Sequence, residues 1–174
     1  RDLDPPPDAV LIPGSKNVMG DLAHLFHSGL AREIQELASR SLTLVVGVCG
    51  GFQMLGHRVA DPHGLESPDR EARVGLGLLP LETELSRAKT LSQSSALHLE
   101  SGCSLKGYEI HHGSTRLTRE EATPAVRSES GEVIGYSDPS GRIWGTYLHG
   151  VFDADTFRRW FLDRLRESKG LSPL

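Results

Sequence analysis

The stretch Leu42-Thr43-Leu44-Val45-Val46-Gly47-Val48-Cys49-Gly50-Gly51-Phe52-Gln53 constrains the fold of this chain more than any other. Its apolar, β-branched run predicts a buried strand, and that strand stops at a cysteine followed by two glycines and the start of a helical pattern. A strand that turns sharply into a helix is a nucleophile elbow. It projects the apex side chain into the crevice at the carboxyl end of a sheet, and the glycines permit the tight bend. Cys49 is therefore the candidate nucleophile. Helix N-terminal amides beside the sulfur are expected to favour thiolate over thiol and to hold a developing oxyanion. A buried structural role is the alternative for any free cysteine, but the position at a strand end among glycines favours chemistry. Cys103, in Glu100-Ser101-Gly102-Cys103-Ser104, lacks that context and reads as a bystander.

With 174 residues the chain is long enough for one well-cored domain. Its 19 basic and 23 acidic residues give a net charge of −4 with no clustered positive face, which argues against a nucleic-acid partner. Two cysteines do not make a disulfide framework and fit a reducing cytoplasm. No apolar segment approaches the ~20 residues needed to cross a bilayer, so no membrane partner is expected. The opening at Arg1 and the Pro-rich lead Asp4-Pro5-Pro6-Pro7-Asp8 suggest a piece of something longer.

The element pattern predicts an α/β domain. Ala9-Val10-Leu11-Ile12 reads as a strand ended by Pro13-Gly14, and Asp21 as the cap of a helix through Leu22 and Leu25 that continues past Gly29 to Leu37. The Leu42 to Val48 strand follows, then a helix from Gly51 to Val59. Strand, helix, strand, helix implies parallel strands with crossover helices. A polar loop covers Asp61 to Arg73. Strands are then expected at Gly77 to Glu84, Ala96 to Leu99, Gly107 to His111 running on toward Leu117, Val133 to Ser137 and Ile143 to Leu148. A last helix runs from Ala154 to Ser168, with Asp153 as its cap.

A cysteine nucleophile needs a base, and His149 in Gly145-Thr146-Tyr147-Leu148-His149-Gly150 is the best placed of eight histidines. It stands where a strand ends, at the sheet edge expected for Cys49. His24, His27, His57, His63 and His98 read as solvent-facing or satisfied core residues, and His111 and His112 as either site wall or plain surface. No histidine pair shows zinc-ligand spacing with a matching partner pair, so no metal is expected.

The Cys49-Gly50-Gly51-Phe52-Gln53 run fits the Cys-x-Gly-x-Gln elbow of class I, triad-type glutamine amidotransferases. Three further blocks are co-linear with it: Pro13-Gly14-Ser15-Lys16-Asn17 with Gly20-Asp21-Leu22, Gly107-Tyr108-Glu109-Ile110-His111, and Gly145 through Asp153. Together they resemble the glutaminase domain of cobyric acid synthases. The resemblance runs from Ala9 to Asp153, and it implies a flavodoxin-like, mostly parallel sheet flanked by helices with a strand-rich second half. By the same resemblance Cys49 attacks the glutamine side-chain amide and His149 moves the protons. Backbone groups at Gly50, Gly14 and Ser15 hold the oxyanion, while Gln53, Tyr108, Glu109 and His111 contact substrate. The ammonia would pass to an ATP- and Mg-dependent synthetase domain of the same enzyme, which amidates corrin carboxylates in cobalamin biosynthesis. That domain is expected upstream and is absent from this chain, which shows no Gly-x-x-x-x-Gly-Lys-Ser/Thr phosphate loop of its own. Residues 1–174 are then one glutaminase domain needing no cofactor itself, open to self-association and dependent on its synthetase.

Triad members usually carry Glu two residues after the histidine, and here that position is Val151. A Cys49–His149 dyad is the expectation, with Asp153 the nearest carboxylate along the chain. Rival readings are a sister glutaminase of cobyrinic acid a,c-diamide synthase or of the isoglutaminyl synthase of cell-wall precursors, and a non-catalytic scaffold that kept the fold.

Overall fold

The computed structural model describes residues 5–40 and 42–174, so Arg1 and Asp4, at the head of the Pro-rich lead, lie outside the described residues. In chain order come β1 (Ala9–Ile12), α1 (Val18–Ser28), α2 (Leu30–Arg40), β2 (Leu44–Val48), α3 (Gly50–Leu55), β3 (Arg58–Ala60) and β4 (Ala72–Val74). The second half is strand-rich: β5 (Leu81–His98), β6 (Cys103–Leu117), β7 (Thr123–Ser128), β8 (Val133–Ser137), β9 (Ile143–Thr146) and then α4 (Asp155–Ser168). One sheet runs β1-β2-β9-β8-β7-β5-β3-β4, with β6 paired to β5.

The sheet is parallel where it carries the elbow. β2 lies between β1 and β9, parallel to both, and its unbroken apolar sequence matches burial on both faces. The period of two sends alternate side chains to opposite sides. Val45 packs with Ile12, Leu22, Phe52 and Leu55 under α1 to α3, whereas Leu44 and Val46 pack with Trp144, Phe157 and Phe161 under α4. Each such side chain contributes about 1.5–3 kcal/mol by leaving water.

Asn17, rather than Asp21, caps α1, its side chain accepting the Gly20 N–H at 2.8 Å. Asp21 instead occupies the first turn, where the helix dipole favours an acid, and accepts the Ser15 hydroxyl. Gly29 adopts φ 85° and divides the expected single helix into α1 and α2. The helix after the elbow stops at Leu55, because Arg58–Ala60 pairs with both β4 and β5. Asp153 does not cap α4. It closes a 3₁₀ turn over Val151–Asp153, and Ala154 holds the cap position without a side-chain bond.

The largest departure is the β5–β6 hairpin, whose strands span 18 and 15 residues. Its centre, from Arg87 to Gln93, is exposed and mostly polar, with Ala88 and Leu91 the apolar exceptions, so no apolar alternation announces it. β7 contains Pro124 beside a register irregularity, the place where a strand tolerates a residue without an N–H.

His98 is the satisfied core histidine of the set. It is 1% exposed among Trp144, Phe157 and Trp160, and its Nδ1 accepts the Ser101 N–H. Burial, with the Arg164 charge second, pushes its pKa down to about 4. The unfolded chain therefore binds a proton that the folded one refuses. The stabilisation is complete above pH ~6.5 and is lost as pH falls toward 4, by about 3 kcal/mol in all. Urea melts from pH 7 to 4 should show this loss, and His98→Leu should flatten it; an unchanged slope in that variant would remove His98 as the cause.

Candidate active site

The elbow forms because three backbone segments crowd one point. A Cβ on Gly51 would lie 2.0 Å from the Ile12 carbonyl oxygen, and one on Gly47 would lie 2.7 Å from the Gly51 carbonyl carbon. Between them Cys49 is held at φ 52°, ψ −108°, a region a non-glycine residue enters at a cost of about 1–3 kcal/mol. Its N–H bonds the Thr146 carbonyl at 2.8 Å, which continues the β2–β9 ladder to the apex. The result is a sulfur aimed beyond the carboxyl ends of β2 and β9.

Cys49 is 5% exposed and a free thiol. Contrary to the expectation of a preformed thiolate, burial pushes the thiol pKa up and the Gly50 N–H offsets only part of that. The sulfur donates to the Ile110 carbonyl at 3.4 Å. His149 is also held in its uncharged form, because burial and then the nearby His111 lower its pKa. Neutral thiol beside neutral imidazole is a ground state from which a proton transfer can create the nucleophile.

The two groups meet at Gly14. A methyl placed there would lie 2.8 Å from His149 Cε1 and 3.7 Å from Cys49 Cβ, so the missing side chain is the space between them. His149 is anchored through its backbone, its N–H bonding the Tyr108 carbonyl at 2.9 Å and its carbonyl accepting from Tyr108 at 3.4 Å. A Cβ on Gly107 would strike the same His149 carbonyl at 1.9 Å. The Nε2 of His149 is buried and has no hydrogen-bond partner among the described residues. Asp153 makes no hydrogen bond to it, and Val151 is an apolar core residue.

A pocket of about 530 Å³ opens over this pair. Gly14, Ser15, Gly50 and Gln53 lie on its wall with Cys49, His149, Ile110, His111 and His112. Ser15 N sits 2.8 Å from the Cβ position of Gly50, so the Ser15 and Gly50 amides are neighbours. Gln53 is buried and spends both N–H bonds, on the His112 carbonyl at 3.0 Å and the Tyr147 hydroxyl at 3.3 Å, leaving its carbonyl oxygen for a ligand. Tyr108 and Glu109 are not on this wall. Glu109 is 8% exposed and faces a separate cavity of about 680 Å³, held by the Ser94 hydroxyl at 2.8 Å and near His111 Nε2 at 3.7 Å. The His111 hydrogen bond lowers its pKa, outweighing burial.

Sequence reasoning missed Glu66. A featureless polar loop gives it no role, yet it lines the pocket and its carboxylate accepts the Met19 N–H of α1 at 2.9 Å. Burial raises its pKa. The loop is shaped by Asp61, whose buried carboxylate accepts the N–H groups of Leu65, Glu66 and Ser67. The Asp61-Pro62-His63-Gly64 turn signal could have found it. Lys16 and Lys89 complete the polar lining. Among the described residues no group of three or more His, Cys, Asp or Glu could hold a metal ion.

Residues 1–157 match the CobB/CobQ-like glutamine amidotransferase domain. The chain belongs to that family. Among its relatives, the adenosylcobalamin biosynthesis bifunctional protein CobDQ of Leptospira interrogans is 46% identical over 168 residues, 97% of this chain and 19% of that protein. The cobyric acid synthases of Nitratidesulfovibrio vulgaris and Synechococcus sp. are 41% and 45% identical over 97% of this chain, which covers 37% and 35% of their lengths. This amidotransferase domain thus spans well under half of these relatives. A crystallised glutamine amidotransferase shares the fold at TM-score 0.65 and 14% identity, covering 94% of this chain and 80% of its own. A GMP synthase component from Thermoplasma acidophilum does so at 0.58 and 16%, covering 90% and 71%. The α/β amidotransferase fold is the one that the resemblance implies. No helix among the described residues is long and apolar enough to cross a membrane.

Proposed function

We propose that this amidotransferase domain hydrolyses the side-chain amide of glutamine with Cys49 as nucleophile and His149 as its base, serving the ammonia needs of a cobyric acid synthase. The observation that carries the reading is Gly14: a side chain there would touch both Cys49 and His149, so the two groups face one point on the wall of one pocket. His149 removes the thiol proton as sulfur bonds to the amide carbonyl carbon. The oxyanion faces the Gly50 and Ser15 N–H groups. His149 then returns the proton to the amide nitrogen, the C–N bond breaks, and ammonia leaves a γ-glutamyl thioester. Water gives its proton to His149 and its oxygen to the thioester carbon, which releases glutamate and restores the thiol. Glu66 suits the α-ammonium of glutamine, Lys16 and Lys89 its α-carboxylate, and the pocket volume is within the range of small-molecule sites.

The names of the full-length relatives, cobyric acid synthases, support cobyric acid formation as the destination of the ammonia; its use on corrin carboxylates, with ATP and Mg in a synthetase domain of the same enzyme, is what the sequence resemblance implies. Free Cys49 and Cys103 suit a reducing cytoplasm. The test is Gly14→Ala. Its methyl meets the His149 ring rather than backbone and displaces it, so stability should fall by about 1–2 kcal/mol while kcat for glutamate release falls on the order of 100-fold. A variant with wild-type turnover would show that the space at Gly14 is not where the reaction occurs.

A further inference from the structure

We infer that Tyr108 is the positioning residue of His149, taking by ring stacking the orienting task for which no carboxylate is available. This rests on the assignment of His149 as the base. The Tyr108 and His149 rings are parallel to within 3°, with centroids 4.9 Å apart. The same two residues form an isolated antiparallel bridge, exchanging both backbone hydrogen bonds. The backbone pair fixes where the His149 main chain sits, and the stacked ring fixes the plane of its imidazole. An imidazole swings about two side-chain torsions, and a carboxylate partner would ordinarily stop it by accepting one N–H. Here the buried Nε2 has no partner among the described residues, so packing is the restraint that the structure supplies.

Gly14 meets the imidazole at its edge, its Cβ position 2.8 Å from His149 Cε1 and 3.7 Å from Nδ1. The Tyr108 ring covers a face of the imidazole and Gly14 leaves its Cε1 edge clear. Tyr108 is 47% exposed and bears no hydrogen bond through its hydroxyl, so the ring face rather than the phenol is the working part. It is not among the residues lining the pocket over Cys49 and His149.

Substitution isolates the ring, because the backbone bridge persists in any variant and an exposed side chain is dispensable for folding. In the full chain, Tyr108→Ala should lower kcat for glutamine hydrolysis on the order of 10- to 100-fold with KM within about twofold. Tyr108→Phe, which keeps the ring, should recover most of that loss. A raised KM with unchanged kcat in Tyr108→Ala would make the residue a substrate contact, and a Phe variant as poor as Ala would assign the role to the hydroxyl; either overturns the inference, as does full activity in Tyr108→Ala. Proton NMR supplies a readout independent of turnover. The His149 ring protons, assigned by their loss in His149→Gln, should be displaced upfield by the Tyr108 ring, keep that displacement in Phe and lose it in Ala. His149 resonances unmoved by Tyr108→Ala overturn the stacking, whereas a wild-type chain that shows the displacement but releases no glutamate counts against the hydrolytic reading instead.

Discussion

Cys49→Ala should abolish glutamine hydrolysis, with a loss at least on the order of 10⁴-fold, and leave the fold in place. In the proposed reaction the sulfur is the group that bonds to the substrate carbon, and neither His149 nor the amides at Gly50 and Ser15 can replace that bond. The structural cost is small because one buried atom is removed from a site already held by backbone contacts, so stability should fall by about 1 kcal/mol or less. The pH dependence of the wild-type enzyme follows from the same site. Burial and His111 hold His149 below the ordinary imidazole value of 6.5, so the acidic limb of kcat/KM should lie below that pH. Residual activity within tenfold of wild type in Cys49→Ala would end the assignment of Cys49.

Gly51→Ala should be among the most damaging single methyls in the described chain. Its Cβ would sit 2.0 Å from the Ile12 carbonyl oxygen, 2.6 Å from that carbonyl carbon and 2.9 Å from the Pro13 oxygen. None of these is a side chain that can swing away. Relief requires α3 to part from the end of β1, which opens the Phe52 and Ile12 packing beneath the elbow and carries Gly14 and Ser15 away from Cys49. A loss of about 3–5 kcal/mol is expected, lowering Tm by roughly 10 °C or more in a domain of this size. Gly131→Ala is the control. It carries φ 88° but meets nothing within 4 Å, so it feels backbone strain alone, about 1–2 kcal/mol. Equal melting of the two variants would show that the close approach at Gly51 is not what fixes the elbow.

The elbow, β8 and α4 were legible because their signals are local. An apolar run ending in glycines, a short apolar segment at Val133 to Ser137 between Gly131 and Asp138-Pro139, and the apolar face of Phe157 and Phe161 each fix an element within one short window. What failed depended on partners distant in sequence. Arg58–Ala60 and Ala72–Val74 are strands because β5 pairs with the first and the first with the second, not by their own propensity. Asp153 precedes a helix as a cap should, yet the intervening 3₁₀ turn moves the cap to Ala154. The thiolate expected from helix amides gave way because burial at 5% exposure outweighs one N–H. Glu66 comes to the site only through the fold of the Asp61 loop against α1, which no spacing along the chain encodes.

The most direct measurement of the central claim is the mass of the protein during turnover. Wild-type chain mixed with glutamine and quenched in acid should carry a fraction heavier by one γ-glutamyl group, mapped by peptide analysis to the segment containing Cys49. The adduct should be absent from Cys49→Ala. Glutamate release with Cys49 unmodified, or a glutamyl group found on Cys103 instead, would contradict the account.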